Sequence, residues 1–122
     1  MRRYIVWHLP RVRGDDGSQG PVFYADHDYY LGALRLYARQ APDGDDLKVD
    51  IRDDGVTVLN SYYATLNKGD NLEENAEDYP VEMPRIEQGS VISFHIISTG
   101  GAEDITAQLE MESLDELDED TE

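Results

Sequence analysis

The chain has 122 residues, 39% of them hydrophobic, and a formal charge of −17 from 27 Asp and Glu against 10 Lys and Arg. That length holds one hydrophobic core rather than two, and the charge works against direct binding to nucleic acid, which needs cationic side chains facing phosphates. With no cysteine in the sequence, a disulfide framework, a thiolate metal site and a cysteine nucleophile are all excluded.

Residues 3–9, with Tyr4, Ile5, Val6 and Trp7, predict a short strand closed by Pro10, which cannot donate to a ladder. Residues 13–21, RGDDGSQGP, have the composition of a loop. A short strand is expected at 22–25, and DHDYY after it as a turn carrying two tyrosines. In LGALRLYARQ, Leu34, Leu36 and Ala38 point one way and Arg35, Tyr37 and Arg39 the other, the period of a half-buried strand. Ala, Leu and Arg also suit a helix, but Gly32 at the start and Ala41-Pro42 at the end favour the strand.

The clearest hairpin follows. Leu47, Val49 and Ile51 alternate with Lys48, Asp50 and Arg52, Asp53-Asp54-Gly55 supplies a tight turn, and residues 56–59 run back. Residues 60–85 mix turn residues, acids and prolines without a sustained period and predict a long excursion with one short strand near 62–66. A loop of that length in a small domain is commonly functional or an assembly contact. SVISFHIIS then places Ile92, Phe94 and Ile96 on one strand face, with Val91 and Ile97 implying that the other face is partly covered. After Gly100-Gly101, Ile105, Ala107, Leu109 and Met111 alternate in a last strand, and an acidic, low-complexity stretch ends the chain.

Short strands set off by turns, with no long helix and no parallel βαβ rhythm, predict an all-β, antiparallel β-sandwich or jelly roll with an acidic C-terminal tail. The expected organisation is an N-terminal strand and loop arm over 1–21, the sandwich domain over 22–111, and the tail over 112–122. No apolar run approaches the ~20 residues of a membrane span, and residues 1–14 are too short and polar for a signal peptide. The expected place is the cytoplasm, unless a larger assembly carries the protein out.

The Asp-rich turns invite a calcium reading, because hard cations want several oxygen ligands from a sharply turned loop. Laid on the EF-hand spacing from Asp50, the chain puts Arg52 where a ligand is needed and Ser61 where the bidentate acid belongs. Asp53 and Asp54 are turn formers, and Asp15, Asp16, Asp43, Asp45 and Asp46 read first as loop residues. His8, His27 and His95 are scattered, with no pair at helical zinc spacing. No Gly-x-Ser-x-Gly elbow is present, and carboxylate pairs among 27 acids are too common to mark a glycosidase. No cofactor, metal or catalytic residue is expected.

Eight tyrosines against two phenylalanines and one tryptophan favour rings with a polar handle, which suit surfaces buried on association. Tyr29-Tyr30 and Tyr62-Tyr63 are adjacent pairs, and one ring of each would face outward from an extended segment. Arg2, Arg3, Arg11 and Arg13 form a basic cluster near the N-terminus. These eight residues are the candidate assembly contacts.

LGALRLYARQAPDGDDLKVDIRDDGVTVL, ATLNKGD and IEQGSVISFHIISTGGAEDITAQLEM together resemble a domain of tailed-bacteriophage structural proteins. The shared order is a strand, an Ala-Pro-x-Gly turn, an alternating strand ending in Asp-Ile, an Asp-Gly turn and a return. A Gly-led strand and a Gly-rich turn before a closing strand complete it. The likeness spans about residues 23–111, with residues 71–84 an acidic insertion outside it. It implies a non-enzymatic virion structural protein: a capsid decoration (cement) protein first, otherwise a head fibre or tail component. Its implied partner is the major capsid protein or another virion protein, in a homo-oligomer of which a trimer is favoured. A carbohydrate- or receptor-binding module of a phage tail or head fibre, stacking sugars on Tyr29, Tyr30, Tyr62 and Tyr63, is the alternative. A hydrolase with a carboxylate pair ranks third.

Overall fold

A computed structural model describes residues 2–10, 21–60, 63–79 and 84–113 of the chain. In chain order its strands are β1 (Arg2–Leu9), β2 (Phe23–Tyr24), β3 (Tyr29–Gln40), β4 (Leu47–Asp53), β5 (Val56–Thr57), β6 (Ala64–Leu66), β7 (Leu72–Glu73), β8 (Arg85–Ile86), β9 (Val91–Ser98) and β10 (Glu103–Ser113). No helix occurs among the described residues. Sheet A runs β1-β10-β3, with both β7 and β8 on the far side of β3; sheet B runs β2-β9-β4, with β5 and β6 on the far side of β4. Every pairing is antiparallel. The molecule is an all-β sandwich.

Alternation builds the core directly. Leu47, Val49 and Ile51 of β4, Ile92, Phe94 and Ile96 of β9, and Ile105, Ala107, Leu109 and Met111 of β10 are all buried between the sheets. Trp7 of β1 stacks on Phe94 of β9 with ring centroids 5.3 Å apart, joining the two layers. The indole N–H of Trp7 is satisfied by the carbonyl of Pro21 at 2.8 Å.

That placement corrects the boundary drawn at residue 21. β1 is an integral strand, paired with β10 from Arg2↔Glu112 to Leu9↔Ile105, because Ile5, Trp7 and Leu9 carry enough apolar surface on one face to belong to the core. At the other end β10 runs on to Ser113, so Glu112 and Ser113 belong to the sheet rather than to a tail.

β3 also begins earlier than its composition implies. Tyr29 and Leu31 point inward, yet so do Leu34, Leu36 and Ala38, a change of phase that strict alternation forbids. The ladder to β10 passes from Leu109↔Leu34 to Met111↔Leu31, leaving Gly32 and Ala33 opposite Glu110 alone. This is a β-bulge, and a glycine inside a strand is a common marker of one. Gly32 therefore marks a bulge within the strand and not its start.

Two turns fix the ends. Asp53 pairs with Val56 across Asp54-Gly55, whose φ values of 50° and 88° are both left-handed, as a two-residue I′ hairpin requires. At the opposite corner the N–H groups of Asp43 and Gly44 both donate to the carbonyl of Gly100. A Cβ on Gly100 would lie 2.0 Å from the Asp45 carbonyl oxygen, so only glycine lets these two loops meet.

Candidate functional site

The outward face of sheet A gathers most of the large apolar side chains that remain in water. Tyr4 (47% exposed) and Val6 (55%) on β1, Tyr30 (38%) and Tyr37 (44%) on β3, and Leu72 (53%) on β7 share it. The register shows how they lie together. His8 faces Thr106, Thr106 faces Tyr37, and Tyr37 faces Leu72, forming one row across four strands. Val6, Gln108 and Arg35 form the next.

Charges on this face are tied to one another. Asp104 accepts from Arg39 Nε at 2.9 Å and lies 3.2 Å from His8 Nε2, while Arg35 stands 3.7 Å from Glu110. Most of the face's charge is thus paired locally, leaving apolar and hydroxyl-bearing groups as its open chemistry. Large apolar side chains exposed together on one sheet face mark interaction sites more often than catalytic ones.

The candidate contacts chosen from sequence do not form one patch. Tyr29 is a correction: its ring is fully buried, packed edge-on against Phe23 at 6.1 Å, because the strand begins at Tyr29 and sends that ring inward. Tyr30 takes the outward position on sheet A. Tyr63 is half-buried beside β6, in the other sheet, with a φ of 59°. Arg3 lies 3.3 Å from Asp26, tying β1 to the loop before β3. Arg11, Arg13 and Tyr62 lie outside the described residues, as does the side chain of Arg2. The sequence reading missed Tyr4, Val6, Tyr37 and Leu72; the alternation within β1 and β3 already placed Tyr4, Val6 and Tyr37 opposite the buried positions.

Acids at one end of the sandwich act as ties. Asp26 accepts from the Tyr29 hydroxyl, and that bond, with Arg3 and His27 nearby, holds its carboxyl below the ordinary 3.8. Asp28 accepts the Gln88 N–H at 2.8 Å and faces Arg85 at 3.2 Å; these likewise lower its pKa. Asp53 goes the other way, its pKa raised by burial and by the carboxylates of Asp54 and Glu87.

The outward face of sheet B holds a polar cluster. Asp50 is 1% exposed and accepts hydrogen bonds from Arg52 Nε at 2.9 Å and from the Thr57 hydroxyl. It stands opposite His95 in register, and His95 Nε2 lies 2.8 Å from Ser93 Oγ. Serine, histidine and aspartate are therefore neighbours, but both Asp50 oxygens are engaged by Arg52 and Thr57 instead of orienting the imidazole as a nucleophilic triad needs. Asp50 pins the β5 return to β4. Among the described residues no group of three or more His, Asp or Glu is arranged to hold a metal ion.

No family model, curated protein or solved structure matches the chain.

Proposed function

We propose that this chain is a non-enzymatic structural protein of a bacteriophage particle, a capsid decoration protein whose outward sheet A face contacts the shell. The observation that carries the reading is the exposure of Tyr4, Val6, Tyr37 and Leu72 on one face of sheet A, with Tyr37 and Leu72 in direct register. Rings and aliphatic groups on a rigid sheet gain from being covered and lose little rotamer freedom in the process. The turn and strand order that resembles phage structural domains supports the same reading. A decoration protein stabilises a shell by burying surface across the joints between its subunits, for which a rigid sheet face that presents exposed rings and aliphatic groups is suited. The high negative charge works against association with DNA.

The test is co-sedimentation of the purified chain with expanded capsids that lack it. Binding is expected, and replacing Tyr37 or Leu72 with Asp is expected to abolish it while leaving the fold intact, since both side chains already meet water. No binding by the wild-type chain overturns the function; equal binding by wild type and both variants overturns the face.

A further inference from the structure

The two edges of sheet B end in strands of two or three residues: β2 on one side, β5 and β6 on the other. On sheet A the β3 edge is covered by β7, β8 and residues 76–79. β1 is different. It is an eight-residue edge strand, and no described strand pairs its outer side. Beyond Arg2 and Arg3 at its start it has no bulge, lysine or internal proline to blunt the edge, and its register with β10 is unbroken.

The direction of its free backbone groups follows from the far side of the sheet. Ala38 N–H donates to Asn71 O and Leu34 O accepts from Ala76 N–H, so these even-numbered residues of β3 turn away from β10, and Arg35 and Tyr37 bond to their register partners Gln108 and Thr106. Successive residues of an antiparallel strand alternate between the two sides. Ile105, Ala107 and Leu109 of β10 therefore serve Leu9, Trp7 and Ile5, and Tyr4, Val6 and His8 direct their N–H and C=O groups to the open side.

We propose that β1 pairs antiparallel with β1 of a second copy of this chain, about a two-fold axis at Val6. That register sets Tyr4 opposite His8 of the second copy and Val6 opposite Val6, so the open-side positions become hydrogen-bonded pairs, with Ile5 facing Trp7 and Arg3 facing Leu9 between them. A shift of the axis to Ile5 or Tyr4 leaves Leu9 without a β1 partner inside the strand. In the Val6 register, Val6 faces Val6 as a hydrogen-bonded pair, with Cα atoms about 5.5 Å apart. The exposed side chains of β1 gain cross-strand neighbours, and the two A sheets merge into one continuous sheet.

Charge favours a second copy here over any other place on the surface. Residues 1–13 contain four arginines and no Asp or Glu, in a chain with 27 acids, so two copies meet along this strand without setting carboxylate against carboxylate. The antiparallel arrangement also keeps arginines apart along the paired strand, since Arg3 faces Leu9 and is held by Asp26 within its own copy. An isologous contact of this sort closes on itself and does not propagate. The three-fold oligomer expected from the sequence would need a different surface.

Sedimentation equilibrium of the full chain distinguishes these outcomes. Twice the 13.8 kDa mass is expected; a monomer from micromolar to millimolar concentration, or a trimer, overturns the proposal. Val6→Lys and Val6→Glu should each weaken the dimer by roughly tenfold or more, because like charges then stand directly opposite. Mixing the two variants should restore it, and a mixture no tighter than either variant alone overturns the register. In wild type, amide exchange at Tyr4, Val6 and His8 should slow as concentration rises; exchange independent of concentration also overturns it.

Discussion

Along its β3 side, sheet A is closed by three unlike pieces: β7 pairs at Leu36 and Tyr37, β8 pairs at Tyr29 and Tyr30, and residues 76–79 serve the stretch between. There Ala76 N–H donates to Leu34 O at 2.8 Å, Leu34 N–H donates to the Glu77 carboxylate at 3.2 Å, and the Tyr79 hydroxyl donates to Gly32 O at 2.7 Å. Along its β1 side no described strand pairs at all. The covered side is the one with the bulge, where a regular partner strand cannot follow the change of phase and side chains must supply bonds in place of a ladder. The regular side keeps a template that any strand can read.

The largest expected effect is on the regular side. Trp7→Ala removes a ring that is 1% exposed and stacked on Phe94, and should destabilise the chain by about 3–5 kcal/mol in urea unfolding. If β1 were only an arm laid beside a self-sufficient domain, the loss would stay below about 1 kcal/mol, as for surface changes. That outcome would remove the contrast between the edges, since β1 would no longer be part of the sheet whose edge it forms.

On the covered side the expected losses are smaller because single polar contacts are involved. Tyr79→Phe keeps the packing but leaves the Gly32 carbonyl without its hydroxyl donor, which should cost about 1–2 kcal/mol. Glu77→Gln, which keeps an acceptor for the Leu34 N–H, should cost less than about 1 kcal/mol. Amide exchange sharpens the test: Tyr79→Phe should speed exchange in residues 76–79 more than in β1. Equal acceleration in both would mean that the segment is not a local cover.

Much of the sandwich was legible because its period is local. Leu47-Val49-Ile51, Ile92-Phe94-Ile96 and Ile105 to Met111 each announce a buried face, and Asp54-Gly55 announces its own turn. What escaped depends on distant partners. The bulge at Gly32 is visible only beside Glu110, so the inward turn of Tyr29 was not evident from a tyrosine pair. β7 and β8 are two residues each, too short for any period, and exist because β3 needs covering. Asp50 sits at an outward position in its strand and reads as solvated, but Arg52 and Thr57 enclose it. The exposed face was readable residue by residue, whereas its assembly into a patch required the strand order.

Acid should loosen both sides of sheet A, through different carboxylates. Asp26 holds Arg3 of β1, and Asp28 holds Arg85 of β8; in both, hydrogen bonds to the charged form lower the folded pKa beneath 3.8. A lowered acid contributes stability that is present above its unfolded value and lost as pH falls from there through the folded one. Thermal midpoints should therefore fall with acidification below about pH 4, and Asp26→Asn and Asp28→Asn should each flatten the fall. Asp53 carries the opposite sign. Its folded pKa is raised by burial and neighbouring carboxylates, so its favourable contribution is complete below the unfolded value and disappears as pH rises through the folded one. Asp53→Asn should accordingly be slightly more stable than wild type at neutral pH, with the difference closing as acid protonates the wild-type carboxyl. A gain that persisted unchanged into acid would trace to something other than the charge on Asp53, and a loss at neutral pH would show that the carboxylate is needed where it lies.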